Sequence, residues 1–271
     1  NPDVNSYWMC DHGRRSLVMS NRGVRAEAPL VRQGGELEPA SWNEALAWIA
    51  GELGDATGIA VVSAAASNEA IFYTRALLDR IGIKGGTVQV EQGDEETLTG
   101  FPKLKLRADR APNVAGAELH DFKRADGLPD VPDGATLVVL GDALSNAPAD
   151  YGANAGFFLY VGSHLVPAAG NATAILPAAT IPETDGTFVN FEGRVQRFHR
   201  ALRSPGVARP AWMFLSRLLE QLGGEPGVRE IGDAFAAMAT GTARMEAMSW
   251  AGLGLRGELL SEAGQPAVAA E

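Results

Sequence analysis

GIAVVSAAASNEAIFYTRALLDRIGIKGGTVQVE, residues 58–91, carries the pattern that decides the fold. Gly58 to Ser63 is a short apolar, β-branched run that reads as a buried strand. Ala64 to Ala66 lead into Ser67, after which Ile71, Thr74, Leu77, Leu78 and Ile81 recur at helical spacing until Gly82 ends the pattern. Thr87 to Glu91 reads as a second strand. A strand, a helix and a strand in this order predict a parallel pair with a right-handed crossover. The fold class is therefore α/β, a Rossmann-like, mostly parallel sheet with flanking helices.

The neighbouring sequence extends this frame. Upstream, Ser41 and Glu44 have the spacing of a capping box, and Ala45, Leu46, Ile49 and Leu53 share one helical face before Gly54. Asn1 to about Arg32 is polar and reads as irregular loop with short extended pieces. Downstream, residues 92 to 132 are rich in charge, Gly and Pro; they predict a long excursion over the site with one short helix at 115–122. Buried strands are predicted at 135–140, 156–161 and 172–176. A final helix is predicted from Pro210 through Trp212, Leu215, Leu218, Leu219 and Leu222 to Gly223. Beyond it Gly and Ala dominate, and 263–271 reads as a frayed end. The strand tips at Ser63 to Ser67, Gly141 to Leu144 and Gly162 to His164 would then gather at the carboxyl edge of one sheet, where open α/β sheets bind ligands.

Composition narrows the function classes. The 271 residues are 46% hydrophobic, enough for a substantial core, and carry a formal net charge of −10, which argues against a nucleic-acid surface. No stretch reaches the roughly 20 apolar residues of a membrane span, since 157–169 is broken by Gly162, His164 and Pro167. One cysteine makes no internal disulfide and no secretory signal is visible, so a reducing, cytoplasmic setting fits. Neither GxGxxG after a strand, nor GxxxxGK[ST], nor HExxH occurs. His12, His120, His164 and His199 are scattered and read as surface or hydrogen-bonding residues.

Two segments stand out chemically. Cys10, the single cysteine, is followed by Asp11, His12, Gly13, Arg14 and Arg15. From the residues alone an inert thiol and a metal ligand are equally good readings. In 172–196 the polar residues Glu183, Asp185, Thr187, Asn190, Glu192, Arg194 and Gln196 interleave with Val and Phe at period two. The geometry reads as strand, turn, strand, with Asp185 and Gly186 at the turn.

LPAATIPETDGTFVNFEGRVQ, residues 176–196, resembles the signature of the molybdopterin oxidoreductase superfamily. It is most similar to the version in the large iron-sulfur subunit (75-kDa type) of NADH:quinone oxidoreductase, respiratory complex I. NPDVNSYWMCDHGR, residues 1–14, resembles the end of that subunit's cluster-binding module. ASWNEALAWIA, residues 40–50, and ADRAPNVAGA, residues 108–117, match further stretches in the same order.

The resemblance implies a C-terminal fragment in three parts. Residues 1–32 would end a 4Fe–4S cluster-binding module, 33–222 would form the molybdopterin-oxidoreductase-like α/β domain, and 223–271 a helical or irregular tail. Cys10 would be the last ligand of a 4Fe–4S cluster whose other ligands come earlier, because a cluster commonly takes four thiolates. Arg14 would lie near that cluster. Asn190, Glu192 and Arg194 match positions that line the pterin cleft of catalytic members. Subunits of the complex I type generally lack the pterin, so an empty or vestigial cleft without molybdopterin is expected. The implied function is an electron-transfer scaffold contributing one cluster ligand, with other complex I subunits as partners, peripheral on the cytoplasmic face of a bacterial inner membrane. A catalytic molybdenum or tungsten oxidoreductase of the formate dehydrogenase kind and a non-redox scaffold module are the alternatives.

Overall fold

The computed structural model of the chain describes residues 23–54, 56–90, 92–97, 99, 100 and 105–262. Cys10 and Arg14 lie outside the described residues. In chain order the strands are β1 (Leu30–Gln33), β2 (Glu36–Pro39), β3 (Gly58–Ser63), β4 (Thr87–Gln89), β5 (Glu96–Thr97), β6 (Lys105–Leu106), β7 (Lys123–Ala125), β8 (Thr136–Leu140), β9 (Phe157–Gly162), β10 (Ala174–Pro177), β11 (Gly186–Val189), β12 (Arg194–Phe198) and β13 (Glu258–Leu259). The α-helices are α1 (Trp42–Glu52), α2 (Asn68–Arg80), α3 (Val114–Leu119), α4 (Ala211–Gln221) and α5 (Ile231–Thr240).

The main sheet has eight strands in the order β2-β1-β10-β9-β8-β3-β4-β7. From β10 to β7 every pair is parallel, while the β1–β2 hairpin joins antiparallel beside β10. The expected β-α-β unit is β3-α2-β4, with Val61 opposite Thr87. All five residues of β8 and all six of β9 are buried, which is why those strands read as unbroken apolar runs rather than alternating ones. Val138, Leu140, Leu159 and Val161 face the cluster that holds Leu46, Ile49, Leu77 and Leu215 of the helices. Leu137, Val139, Phe158 and Tyr160 face a second core with Ala143, Leu144 and Ile175.

Local chemistry explains the helix ends. Ser41 Oγ accepts from Glu44 N while the Glu44 carboxylate accepts from Ser41 N, completing the predicted capping box. Ser67 caps α2 through Ala70 N. β1 runs across residue 32 as a strand of the main sheet. One element differs from the sequence reading. The 92–132 excursion contains β7, a charged edge strand paired with β4. Residues 231–240 form α5, which packs Phe235 and Met238 under the small β11-β12-β13 sheet.

The β11–β12 hairpin also differs in register. Its turn lies at Asn190 to Gly193, where Gly193 has φ +79° and Asn190 Oδ1 accepts from the backbone N–H groups of Glu192 and Arg194. Gly186 instead starts β11. A Cβ there would stand 2.8 Å from both Ser67 Cβ and Phe198 Cζ, so its small size lets β11 approach the start of α2. Gly186→Ala is expected to cost about 1–3 kcal/mol through this overpacking, read as a lower urea midpoint with unchanged slope; an unchanged midpoint would refute the close approach.

Candidate functional site

The crossover from β3 leads to β4 on one side, while β8 sits on the other, so the chain switches direction between β3 and β8. A crevice opens at the carboxyl ends of strands flanking such a point. Two cavities occupy it, of about 600 and 720 Å³, and Ser63, Ala65 and Asp142 border both. The three strand tips expected to converge do so: Ser63, Ala65 to Ser67, Gly141 to Asp142 and Ser163 to His164 line the first cavity. Its other wall comes from the signature segment, with Ala178 to Pro182 and Thr184, and from Phe198, His199 and Trp212.

Asp142, Ser163 and His164 form a hydrogen-bonded row at the mouth. Ser163 Oγ donates to Asp142 Oδ1 at 2.9 Å and lies 2.8 Å from His164 Nδ1. With the Ser163 hydroxyl hydrogen directed at Asp142, Ser163 Oγ accepts from His164 Nδ1. The other ring nitrogen, Nε2, is buried and has no partner among the described residues. In this row the carboxylate accepts from the serine hydroxyl and does not orient the imidazole, so the row is not arranged as a nucleophilic triad.

The first cavity is fastened to the N-terminal segment by a buried ion pair. Arg25 donates to Glu183 Oε1 and Oε2 at 2.8 and 2.7 Å and to Ser163 O at 3.1 Å. Burial raises the Glu183 pKa, but Arg25 and the Thr180 N–H outweigh it and hold the carboxyl below its ordinary value. Arg25 also bridges His164 as an isolated antiparallel pair.

Beneath the crevice, a polar network joins the signature strand to α2. Glu69 accepts from Thr187 N at 3.0 Å and from Thr187 Oγ1 at 2.8 Å, and Asn68 Nδ2 donates to Thr187 Oγ1. Asn113 Oδ1 accepts from Val189 N, and its Nδ2 donates to Ala66 O. Gly116 permits this cluster, since a Cβ there would collide with Asn68 Oδ1 and Asn113 Oδ1. Burial pushes the Glu69 carboxyl up to about 7, against the pull of these hydrogen bonds.

The sequence-derived positions distribute differently. Asn190 organises the β11–β12 turn, Glu192 is exposed on it, and Arg194 donates to Gly257 O. None of the three is among the residues lining either crevice cavity. His164 is a hydrogen-bonding residue, as the sequence reading allows, while the buried His120 departs from that reading. His164 borders the first cavity, and His120 is 5% exposed, its pKa lowered by burial to about 4. Sequence reasoning placed the tips but missed Asp142, Ser163 and His164 as a set, because residues from two strands meet only once the sheet order is known. The signal available for Glu69 was its polarity at the start of an otherwise apolar helical stretch, and for Asn113 its place just before the short helix at Val114.

The crevice constrains which groups it can hold. Among the described residues, the first cavity has no Lys or Arg in its lining, and the second has Arg110 alone. Among the described residues no group of three or more His, Cys, Asp or Glu could hold a metal ion. The unpaired His164 Nε2 suits a small polar ligand. Among the described residues, the linings of these two cavities present no cluster of arginines or lysines for the phosphates of a pterin dinucleotide.

The model of the molybdopterin oxidoreductase family matches residues 25–127 and 145–221, well over half of the chain, and the chain belongs to that family. Among curated relatives, it is 38% identical over 103 residues to the F420-dependent formate dehydrogenase 2 subunit alpha of Methanococcus maripaludis, covering 37% of this chain and 15% of that protein. It is 44% identical over 66 residues to the NADH-ubiquinone oxidoreductase 78 kDa subunit of Candida albicans, covering 24% and 9%. It is 52% identical over 46 residues to an NADH-quinone oxidoreductase subunit of Streptomyces coelicolor, covering 17% and 6%. The chain spans no more than 15% of the length of each of these relatives. The protein is thus of an oxidoreductase family, and no helix among its described residues is long and apolar enough to cross a membrane.

Proposed function

We propose that the chain is part of an iron-sulfur electron-transfer subunit of a respiratory NADH:quinone oxidoreductase. It acts there as a scaffold and contributes Cys10 to a 4Fe–4S cluster, with Arg14 beside the cluster. The observation that carries this reading is the likeness to the Candida albicans and Streptomyces coelicolor subunits, whose printed names are those of NADH-ubiquinone and NADH-quinone oxidoreductase subunits. Its partners are then the other subunits of that complex, and its place is peripheral, on the cytoplasmic face of a bacterial inner membrane. Under this reading residues 1–32 close the cluster module, and Asn190, Glu192 and Arg194 are the remains of a pterin wall, kept for the hairpin turn.

The longer match to a formate dehydrogenase alpha subunit favours a second reading, a catalytic molybdenum or tungsten enzyme. The complete polypeptide distinguishes the two. We expect it to contain iron and acid-labile sulfide, to give a 4Fe–4S EPR signal on reduction, and to lack stoichiometric molybdenum, tungsten and pterin. Cys10→Ser is expected to remove one cluster's worth of iron and its signal. Stoichiometric pterin would establish the second reading, and unchanged cluster content in Cys10→Ser would reject the ligand role.

A further inference from the structure

Glu69 is a buried acid for which the proposed function has no use. It lies in the first turn of α2 with none of its surface exposed. Among the described residues no cation pairs with it. β11 meets it with Thr187 and with Gly186, where a Cβ would stand 3.2 Å from Glu69 Oε2 and 2.8 Å from Phe198 Cζ of β12. Asn113, just before α3, joins the same network without a charge. The titratable neighbour on α2 is Tyr73, one turn along. Burial, then the charges of Asp233 on α5 and of Glu69, push its hydroxyl up to about 12, so it stays neutral. Burial without a cation favours the neutral carboxyl, while the Thr187 donors and the positive end of α2 favour the anion. The two protonation states are therefore close in free energy near neutral pH.

One hydroxyl separates this carboxyl from the first crevice cavity. Ser67 lines that cavity, accepts from Ala70 N and donates to Glu69. The other hydroxyl on the carboxyl, Thr187 Oγ1, is fully buried, accepts from Asn68 Nδ2 and borders neither crevice cavity. A serine hydroxyl has one hydrogen and two lone pairs. With Glu69 ionised, the Ser67 hydrogen points at the carboxylate. With Glu69 protonated, the carboxyl hydrogen is donated to Ser67 Oγ and the serine hydrogen turns toward the cavity.

We propose that Glu69 is a proton-exchange group of the crevice, loaded and unloaded through Ser67. In the loading step Ser67 passes its hydroxyl proton to the Glu69 carboxylate and takes one from a water or an acid in the cavity. One proton is thereby moved inward, and unloading is the reverse. A negative charge entering the cavity would raise the proton occupancy of Glu69, since the two would otherwise repel across a single hydroxyl. The proposal goes beyond the electron-transfer reading and stands apart from it, because it is measured on this chain without a cluster or a partner.

Carbon NMR of the full chain labelled at its glutamate carboxyls tests the first half. One resonance is expected to titrate near pH 7 and to vanish in Glu69→Gln. The Thr187 amide, which donates to Glu69, is expected to shift with the same midpoint in the wild type, so the assignment does not rest on a variant. A pH jump followed by the infrared absorption of the protonated carboxyl tests the second half. Loading is expected to be at least about tenfold slower in Ser67→Gly, a substitution that keeps α2 because glycine is accepted at a helix N-cap. Glutamates that all titrate near the ordinary value of 4.5 would overturn the proposal. So would loading that is as fast in Ser67→Gly as in the wild type, which would mean that the proton arrives by local opening of the chain.

Discussion

Arg25→Ala is expected to lower the unfolding free energy by about 3–5 kcal/mol at pH 7, because it strands a buried carboxylate. Glu183 is 3% exposed and Arg25 10%, and the two are joined by a bidentate pair. Replacing both partners by apolar residues of similar size is expected to cost much less than Arg25→Ala, since the pair's attraction largely offsets its own desolvation. The pH dependence follows from Glu183, whose carboxyl is held below its ordinary value of 4.5. Its contribution is present above that value and is lost as pH falls through the lower, folded-state one. The gap between the wild type and Arg25→Ala therefore narrows in acid. Urea unfolding at pH 7 and pH 4 measures this; a loss under about 1 kcal/mol at pH 7 would show that the carboxylate is relieved in some other way.

The second large effect is a pair of opposing slopes. Glu69 titrates near 7 in the folded chain instead of 4.5, so the native state holds more protons than the unfolded state between those values. Stability from this group rises as pH falls through the window and is flat above it. His120 does the reverse: its pKa drops from 6.5 to about 4 on burial, so the native state resists charging and loses stability as pH falls. At 1.36 kcal/mol per pH unit, each group contributes about 3 kcal/mol across its window. In the wild type the two largely cancel. Glu69→Gln is expected to lose stability on acidification from pH 7.5 to 4.5, and His120→Phe, which keeps a ring against Phe72, to gain it. Parallel pH profiles in the two variants would refute the assignment.

The extent to which the sequence foretold this structure depended on the kind of signal. β3, β8 and β9 were legible because a strand buried on both faces must be apolar throughout. α1 was legible because Ser41 and Glu44 mark its start with side chains. β7 was not: Lys123 and Arg124 face solvent at the sheet edge, where pairing with β4 alone makes them a strand. α5 lacked a capping side chain and carries Gly232 in its first turn, so its packing against the small sheet, not its own sequence, identifies it. The Asp185–Gly186 pair looked like a hairpin turn because those residues often form one. Here the glycine serves a close contact with Ser67, a constraint from a residue 119 positions away that no local pattern carries.

At the site the same division holds. The carboxyl-edge location came from strand order alone. The Asp142–Ser163–His164 row needed β8 and β9 placed side by side, and Glu69 became notable only once its burial was known.

The antiparallel pairing of β1 with β10 has a consequence for how the molecule is made. Leu30 sits opposite Ile175, and Arg25 holds Glu183, so the first described segment finds its partners only after most of the sheet has been synthesised. At about 5–20 residues per second, the β1–β2 hairpin waits on the order of ten seconds with one backbone edge unpaired. During that interval the nascent chain presents an unpaired strand edge, the kind of surface that invites mispairing.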